Sequence, residues 1–240
     1  MKVESIALDY IKRVVKCATI GKIDNVAVEP GRIRGMDDNQ SVFIFQTDNV
    51  PEFEFGSIGF NRLPTFTTRL DMVTGADKLS ITANTDTSKD GSSFVRSLNF
   101  AAKGIKVDYR CANPAVIRAP KELVDSTKYE IVISPAAINY MARGMTAMSS
   151  DEIKIICDED NTRFEIADVN GDVLTYEFDT LATDITSSKP AEFEHTYPLK
   201  TLLPLLKAMD HETCYITKDH GMIRMSVEGL DMYIFPRTTT

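Results

Sequence analysis

Apolar and polar positions along the chain switch between a helical period near 3.6 and a strand period of 2, and they do so in four successive stretches. The third stretch is the clearest. Tyr129 to Ser134 (YEIVIS) alternates as a strand, and Ser134 and Pro135 then supply an N-cap and a first-turn proline. In the following PAAINYMARGMTAM, Ile138, Met141 and Met145 share one helical face and Arg143 points elsewhere. IKIIC, TRFEIAD and DVLTYEFDT read as strands, the last two joined by an Asn170-Gly171 hairpin turn. The fourth stretch repeats the order. EFEHTY is extended, Pro198 opens the helix PLKTLLPLLKAM, and CYITK, MIRMSVE and LDMYIFP follow as strands around a turn at His220-Gly221. Pro204 should shorten or kink that helix.

The first stretch predicts a helix over SIALDYIKRVVKCA, with Ile6, Tyr10, Ile11, Val14 and Val15 as its apolar stripe, then strands NVAVE, GRIRGMD and SVFIFQT. The second has an extended EFEFGS, a poor helix within GFNRLPTFTTRLDMV, and strands KLSITAN, SSFVRSLNF and GIKVDYR. A repeat of about 60 residues fits four units into the chain. The expected class is α+β: two similar domains, each a duplicated helix-plus-strands unit, with the helices on one face of antiparallel sheets. The expected division is residues 1–113, a connector at 114–128, and residues 129–240. The connector region holds Pro114 and Pro120 and lacks sustained periodicity, yet it carries Val116, Ile117, Leu123 and Val124. An apolar linker of this kind is expected to lie back on the body.

Composition narrows the chemistry. With 240 residues, 43% apolar and 26% charged, the chain has the make-up of an ordinary globular protein. No run of 18 apolar residues predicts a membrane span, and the charged N-terminus is not expected to be a secretory signal. Cys17, Cys111, Cys157 and Cys214 are too scattered for a metal site or a disulfide framework, which favours a reducing compartment. His195, His211 and His220 are equally dispersed, and no nucleotide loop, nucleophile elbow or zinc helix is present. Acidic residues gather in turns such as Asp37-Asp38 and Asp158-Glu159-Asp160, where turn chemistry is the ordinary role. No cofactor, metal or catalytic residue is therefore expected.

A net charge of −8 argues against nucleic acid until the charges are placed. The helix windows 4–18, 59–73, 135–149 and 198–210 hold Lys12, Arg13, Lys16, Arg62, Arg69, Arg143, Lys200 and Lys207 against Glu4, Asp9, Asp71 and Asp210. The windows are thus +4 and the remainder −12. If the helices pack side by side, their outer faces form a basic stripe suited to phosphates without base readout.

At this point the residues resemble the sliding clamps of DNA replication, the proliferating-cell-nuclear-antigen family and its phage counterparts. The likeness rests on the repeat pattern, on GRIRGMDDNQSVFIFQ, on YEIVISPAAINYMARGM after the connector, and on the terminal Tyr233-Ile234-Phe235-Pro236. The second helix, with Pro64 inside it, departs from the pattern. The modest length and short C-terminus look more like a viral clamp. The resemblance implies a homotrimeric ring of six domains whose helices face double-stranded DNA through the eight cations named above. It implies an edge strand at 104–110 (Ile105, Val107, Tyr109) pairing head to tail with 172–178 (Val173, Thr175, Glu177) of the next subunit. It implies a peptide pocket for DNA polymerase and other replication proteins at Met36, Val42, Ile44, Ile117, Tyr233, Phe235 and Pro236. A separate ATP-using clamp loader would open the ring. The expected location is cytoplasmic, in the host if phage-encoded, or nuclear in a eukaryote.

Two other readings compete. A strand-rich structural homo-oligomer, such as a phage structural protein, would also depend on edge pairing but would not need basic helices. A hydrolase would use the acidic turn at Asp158 and Asp160.

Overall fold

A computed structural model describes residues 5–48, 50–51, 55–73, 79–88, 91–123 and 126–237, with side chains from residue 9 onward. The chain divides into two compact units, Met1–Leu123 and Val124–Thr240. Most of the 114–128 segment thus belongs to the first unit.

The first unit runs α1 (Ser5–Ile20), β1 (Val26–Glu29), β2 (Arg32–Met36), β3 (Val42–Gln46), β4 (Ser57–Phe60), α2 (Leu63–Asp71), β5 (Ser80–Thr87), β6 (Ser93–Ala102) and β7 (Ile105–Arg110). A short 3-10 turn at Pro114–Val116 follows. The strand order is β3-β2-β1-β4-β6-β5, with β7 also paired to β6. Every pairing is antiparallel except β4 with β6. Tyr10, Ile11, Val14 and Val15 of α1 are buried as the stripe requires, while the side chain of Ile6 lies outside the described residues.

The second helix corrects the sequence reading in its bounds. Gly59 and Phe60, expected in the helix, finish β4, and Leu63 begins α2 after Arg62, whose φ is 55°. Pro64 therefore falls in the first turn, where its missing N–H removes no helical bond. Of the extended EFEFGS segment, Glu52, Phe53 and Glu54 lie outside the described residues.

The second unit runs β8 (Thr127–Val132), α3 (Pro135–Ala147), β9 (Glu152–Cys157), β10 (Thr162–Ala167), β11 (Val173–Glu177), β12 (Thr183–Asp184), β13 (Phe193–Pro198), α4 (Leu199–Leu206), β14 (Thr213–Thr217), β15 (Ile223–Val227) and β16 (Leu230–Ile234). Ser134 Oγ accepts from the Ala137 N–H at 3.3 Å, so the capped start of α3 forms locally. α4 keeps Pro204 inside it and is only 8 residues long. Its Leu199, Leu202, Leu203, Leu205 and Leu206 are all buried. Gly171 takes a φ of 90° at the β10–β11 turn, which is why glycine serves there.

The duplication is visible in strand order. The run β3-β2-β1-β4 of the first unit recurs as β11-β10-β9-β13 in the second. A second run, β12-β8-β14-β15-β16, completes that unit. Among the described residues no helix is long and apolar enough to cross a membrane.

Candidate DNA-facing helices, partner pocket and chain edges

Within each unit the two helices are neighbours, α1 against α2 and α3 against α4. On α1 the buried stripe leaves an exposed arc that carries Asp9, Lys12, Arg13 and Lys16. Lys12 Nζ lies 3.9 Å from Asp9, and Arg13 sits 5.4 Å from the Tyr10 ring centre. Arg62 is exposed at the start of α2. Arg69 is half-buried: its Nη1 donates to the Asp108 carbonyl at 3.0 Å and its guanidinium lies 5.9 Å from the Tyr109 ring. This cation is thus tied to β7. In the second unit Arg143 is exposed beside Tyr140, Lys200 pairs with Asp151 at 2.6 Å, and Lys207 is exposed. Seven of the eight expected cations therefore stand on exposed surface.

The expected pocket residues divide by accessibility. Val42, Ile44 and Tyr233 are core side chains, and Ile117 is 6% exposed. Met36, Phe235 and Pro236 are half-buried and carry what accessible apolar surface the set has.

The start of the connector lies flat on the first unit. A β-carbon on Gly59 would stand 2.5 Å from the Ala112 carbonyl oxygen and 3.0 Å from Ile117 Cδ1. Only glycine permits that approach, and the Ala112 N–H donates to the Gly59 carbonyl at 2.9 Å. An ion cluster holds the same segment. Arg34, which is buried, donates through Nε to Glu29 at 2.9 Å and through Nη2 to the Pro114 carbonyl at 3.3 Å. Arg32 also bonds Glu29 and donates to the Lys121 carbonyl at 3.1 Å. Partial burial pushes the Glu29 carboxyl up, but its bonds and charges with Arg34 and Arg32 outweigh burial and hold it below the ordinary carboxylate range. The sequence reading missed this cluster. Its signal was the Glu29-Pro-Gly-Arg32-Ile-Arg34 hairpin, which puts Glu29 opposite Arg32 and Arg34 one strand period further on.

Strands β7 and β11 each pair on one side only among the described residues. Ile105 is 39% and Val173 53% exposed, and Thr175 and Glu177 are exposed. Tyr109, also named for the subunit contact, turns its side chain inward. It is fully buried, its ring 5.0 Å from Phe66, with its hydroxyl on the Asn61 backbone. Burial, the first cause, together with the nearby Cys111, raises its pKa beyond the usual tyrosine range despite that bond.

The acidic turns serve the fold. Asp158 Oδ1 accepts from the Asp160 and Asn161 N–H groups, and Oδ2 takes Arg163 Nη1 at 2.6 Å. The Arg163 bond and those backbone donors hold its pKa low. Among the described residues no group of three or more His, Cys, Asp or Glu side chains is placed to hold a metal. Burial pushes the thiols of Cys111, Cys157 and Cys214 each up to about 12, far from nucleophilic poise.

These features define a two-unit α+β protein of internally repeated helix-strand layers with basic helices. No protein-family model matches the sequence, and no curated protein matches it. Solved structures do match. The A. fulgidus PCNA, solved with the C-terminal region of FEN-1 bound, aligns over 95% of this chain and 96% of its own at 13% identity, with a TM-score of 0.62. The proliferating cellular nuclear antigen of Entamoeba histolytica aligns over 95% of both chains at 15% identity and a TM-score of 0.57. The DNA polymerase III β subunit of Thermotoga maritima aligns over 97% of this chain but 64% of its own longer one, at 11% identity and a TM-score of 0.66. The chain has the DNA sliding-clamp fold.

Proposed function

We propose that the chain is a polymerase processivity factor: three copies close into a ring around duplex DNA, and the ring tethers polymerase and other replication proteins. The observation that carries this reading is the distribution of charge on the clamp fold. Seven exposed cations stand on or beside the four helices, while the chain as a whole is at −8. Such a surface attracts phosphate at the helices and repels it elsewhere, which suits sliding without sequence readout. The work is topological, so the chain needs no catalytic group. A loader that uses ATP opens the ring, and the site of action is wherever the DNA is copied, in a host cytoplasm or a nucleus. The head-to-tail contact is β7 of one copy on β11 of the next.

The first test is solution mass by light scattering across protein concentrations. A mass of three chains supports the ring; a large open polymer favours a structural assembly and removes the clamp reading. The partner site has its own test. Phe235→Ala removes accessible apolar surface without opening the core, so binding of a polymerase tail peptide should fall while DNA retention holds. Equal peptide affinity in that variant places the partner site elsewhere. Tyr233→Ala is a poor probe, because Tyr233 is buried and its loss leaves a cavity.

A further inference from the structure

The backbone of the two edge strands restricts how they can meet, and their side chains choose among the options that remain. On β7 the Cys111 N–H donates to the Arg96 carbonyl, so odd-numbered residues bond inward to β6. The Ala112 N–H and the Asp108 carbonyl point the other way, to Gly59 and Arg69. The outward row is therefore Lys106, Asp108 and Arg110. On β11 the Phe178 N–H donates to the Thr162 carbonyl, and the Asp168 N–H to the Asp172 carbonyl, so even residues bond inward to β10. Its outward row is Val173, Thr175 and Glu177. Antiparallel hydrogen-bonded pairing sets an even β7 residue opposite an odd β11 residue.

That parity has a consequence for the helices. Tyr109 faces α2, where its ring meets Phe66. Leu174 and Tyr176 face α3, through Gly144 and Tyr140. Pairing of even with odd then puts Ile105, Val107 and Tyr109 on the same face as Leu174, Tyr176 and Phe178. The joined sheet carries α2 of one copy and α3 of the next on one side.

Three registers satisfy the parity with useful overlap. Setting Asp108 opposite Glu177 puts like charges face to face, which is unfavourable. Setting Asp108 opposite Val173 leaves Glu177 beyond β7, opposite Gly104. The third sets Lys106 opposite Glu177, Asp108 opposite Thr175 and Arg110 opposite Val173. It overlaps all of 105–110 with 173–178 and pairs opposite charges. The wider surroundings agree in sign. Lys103, Lys106 and Arg110 outnumber Asp108 along the β6–β7 edge, whereas 168–179 holds Asp168, Asp172, Glu177 and Asp179 with no Lys or Arg. The Asp108 carbonyl has a second lone pair, so Arg69 can stay bound while the Thr175 N–H of the next copy joins it.

The geometry points to a ring contact in this third register, keyed by an ion pair between Lys106 of one copy and Glu177 of the next. The inference rests on the ring reading and specifies its contact. The test is a disulfide between Lys106→Cys and Glu177→Cys in one chain. Hydrogen-bonded antiparallel partners stand about 5.5 Å apart at Cα, inside the range a disulfide spans. Mild oxidation should give covalent dimers and trimers on a non-reducing gel, and variants with only one of the two replacements, like the parent with its four native cysteines, should give neither. Light scattering on the unmodified chain runs in parallel. A three-chain mass without crosslinking overturns the register and leaves the ring standing; a monomer at every concentration overturns both. Charge reversal is the second arm. Lys106→Glu or Glu177→Lys alone should weaken each contact roughly fivefold, and the double exchange should restore it. Equal weakening by the double exchange rejects the ion pair.

Discussion

Removing the three cations of α1 tests the DNA reading most directly. Lys12, Arg13 and Lys16 are exposed on one arc of a helix whose opposite side is fully packed. Alanine is a strong helix former, so Lys12→Ala, Arg13→Ala and Lys16→Ala together should leave the fold intact. Deleting one cation that neutralises a phosphate flattens the slope of log affinity against log salt by about 0.9. For each copy that meets the duplex through all three cations the slope changes by about 2.7, so with one such copy the parent loses roughly 40-fold more affinity than the variant between about 50 and 200 mM salt. Fluorescence anisotropy with a short blunt duplex reads both the affinity and its slope. Asp9→Asn is the converse control. It removes a carboxylate 3.9 Å from Lys12 and should tighten binding. A triple variant with the parent's slope refutes the assignment of α1 to the DNA-facing surface.

Two further outcomes follow from packing and titration. Gly59→Ala must either push the Ala112 carbonyl and Ile117 away or strain the β4 backbone, so the first unit should lose about 1–3 kcal/mol in urea unfolding. Hydrogen exchange should quicken at 112–118, and unchanged protection there refutes the close packing. Burial holds the His195 imidazole below its ordinary pKa, with Glu194 opposing, so the unfolded chain takes up the proton first. The associated stability is full above about pH 6.5 and is lost as pH falls through the lowered folded value. His195→Gln should flatten the change in urea midpoint between pH 7 and pH 5; an equal decline in the variant assigns that pH dependence elsewhere.

Much of the architecture was legible in the sequence because its signals are local. Ser134-Pro135 caps α3 within its own turn, Asn170-Gly171 closes its own hairpin, and the spacing of Tyr10, Ile11, Val14 and Val15 defines the buried side of α1 without reference to any other element. The cations of α1 were legible for the same reason, since a helix with one packed side has one exposed side. Where local signals were weak, tertiary structure decided. Gly59 and Phe60 look as helical as strand-like in isolation, and pairing with Val26 and Ala27 made them β4. Tyr109 alternates with Lys106 and Asp108 like any edge residue, but Phe66 and Asn61 lie where its ring and hydroxyl point, so it became core. Arg69 reads as one more helix cation until the Asp108 carbonyl is found within its reach. The sequence alone thus determined the repeating elements, the basic helices and the lack of catalytic motifs, all of which depend on residue type and short-range spacing. Only the tertiary structure decided which of those side chains remain available to a partner, because availability depends on what distant strands place beside them.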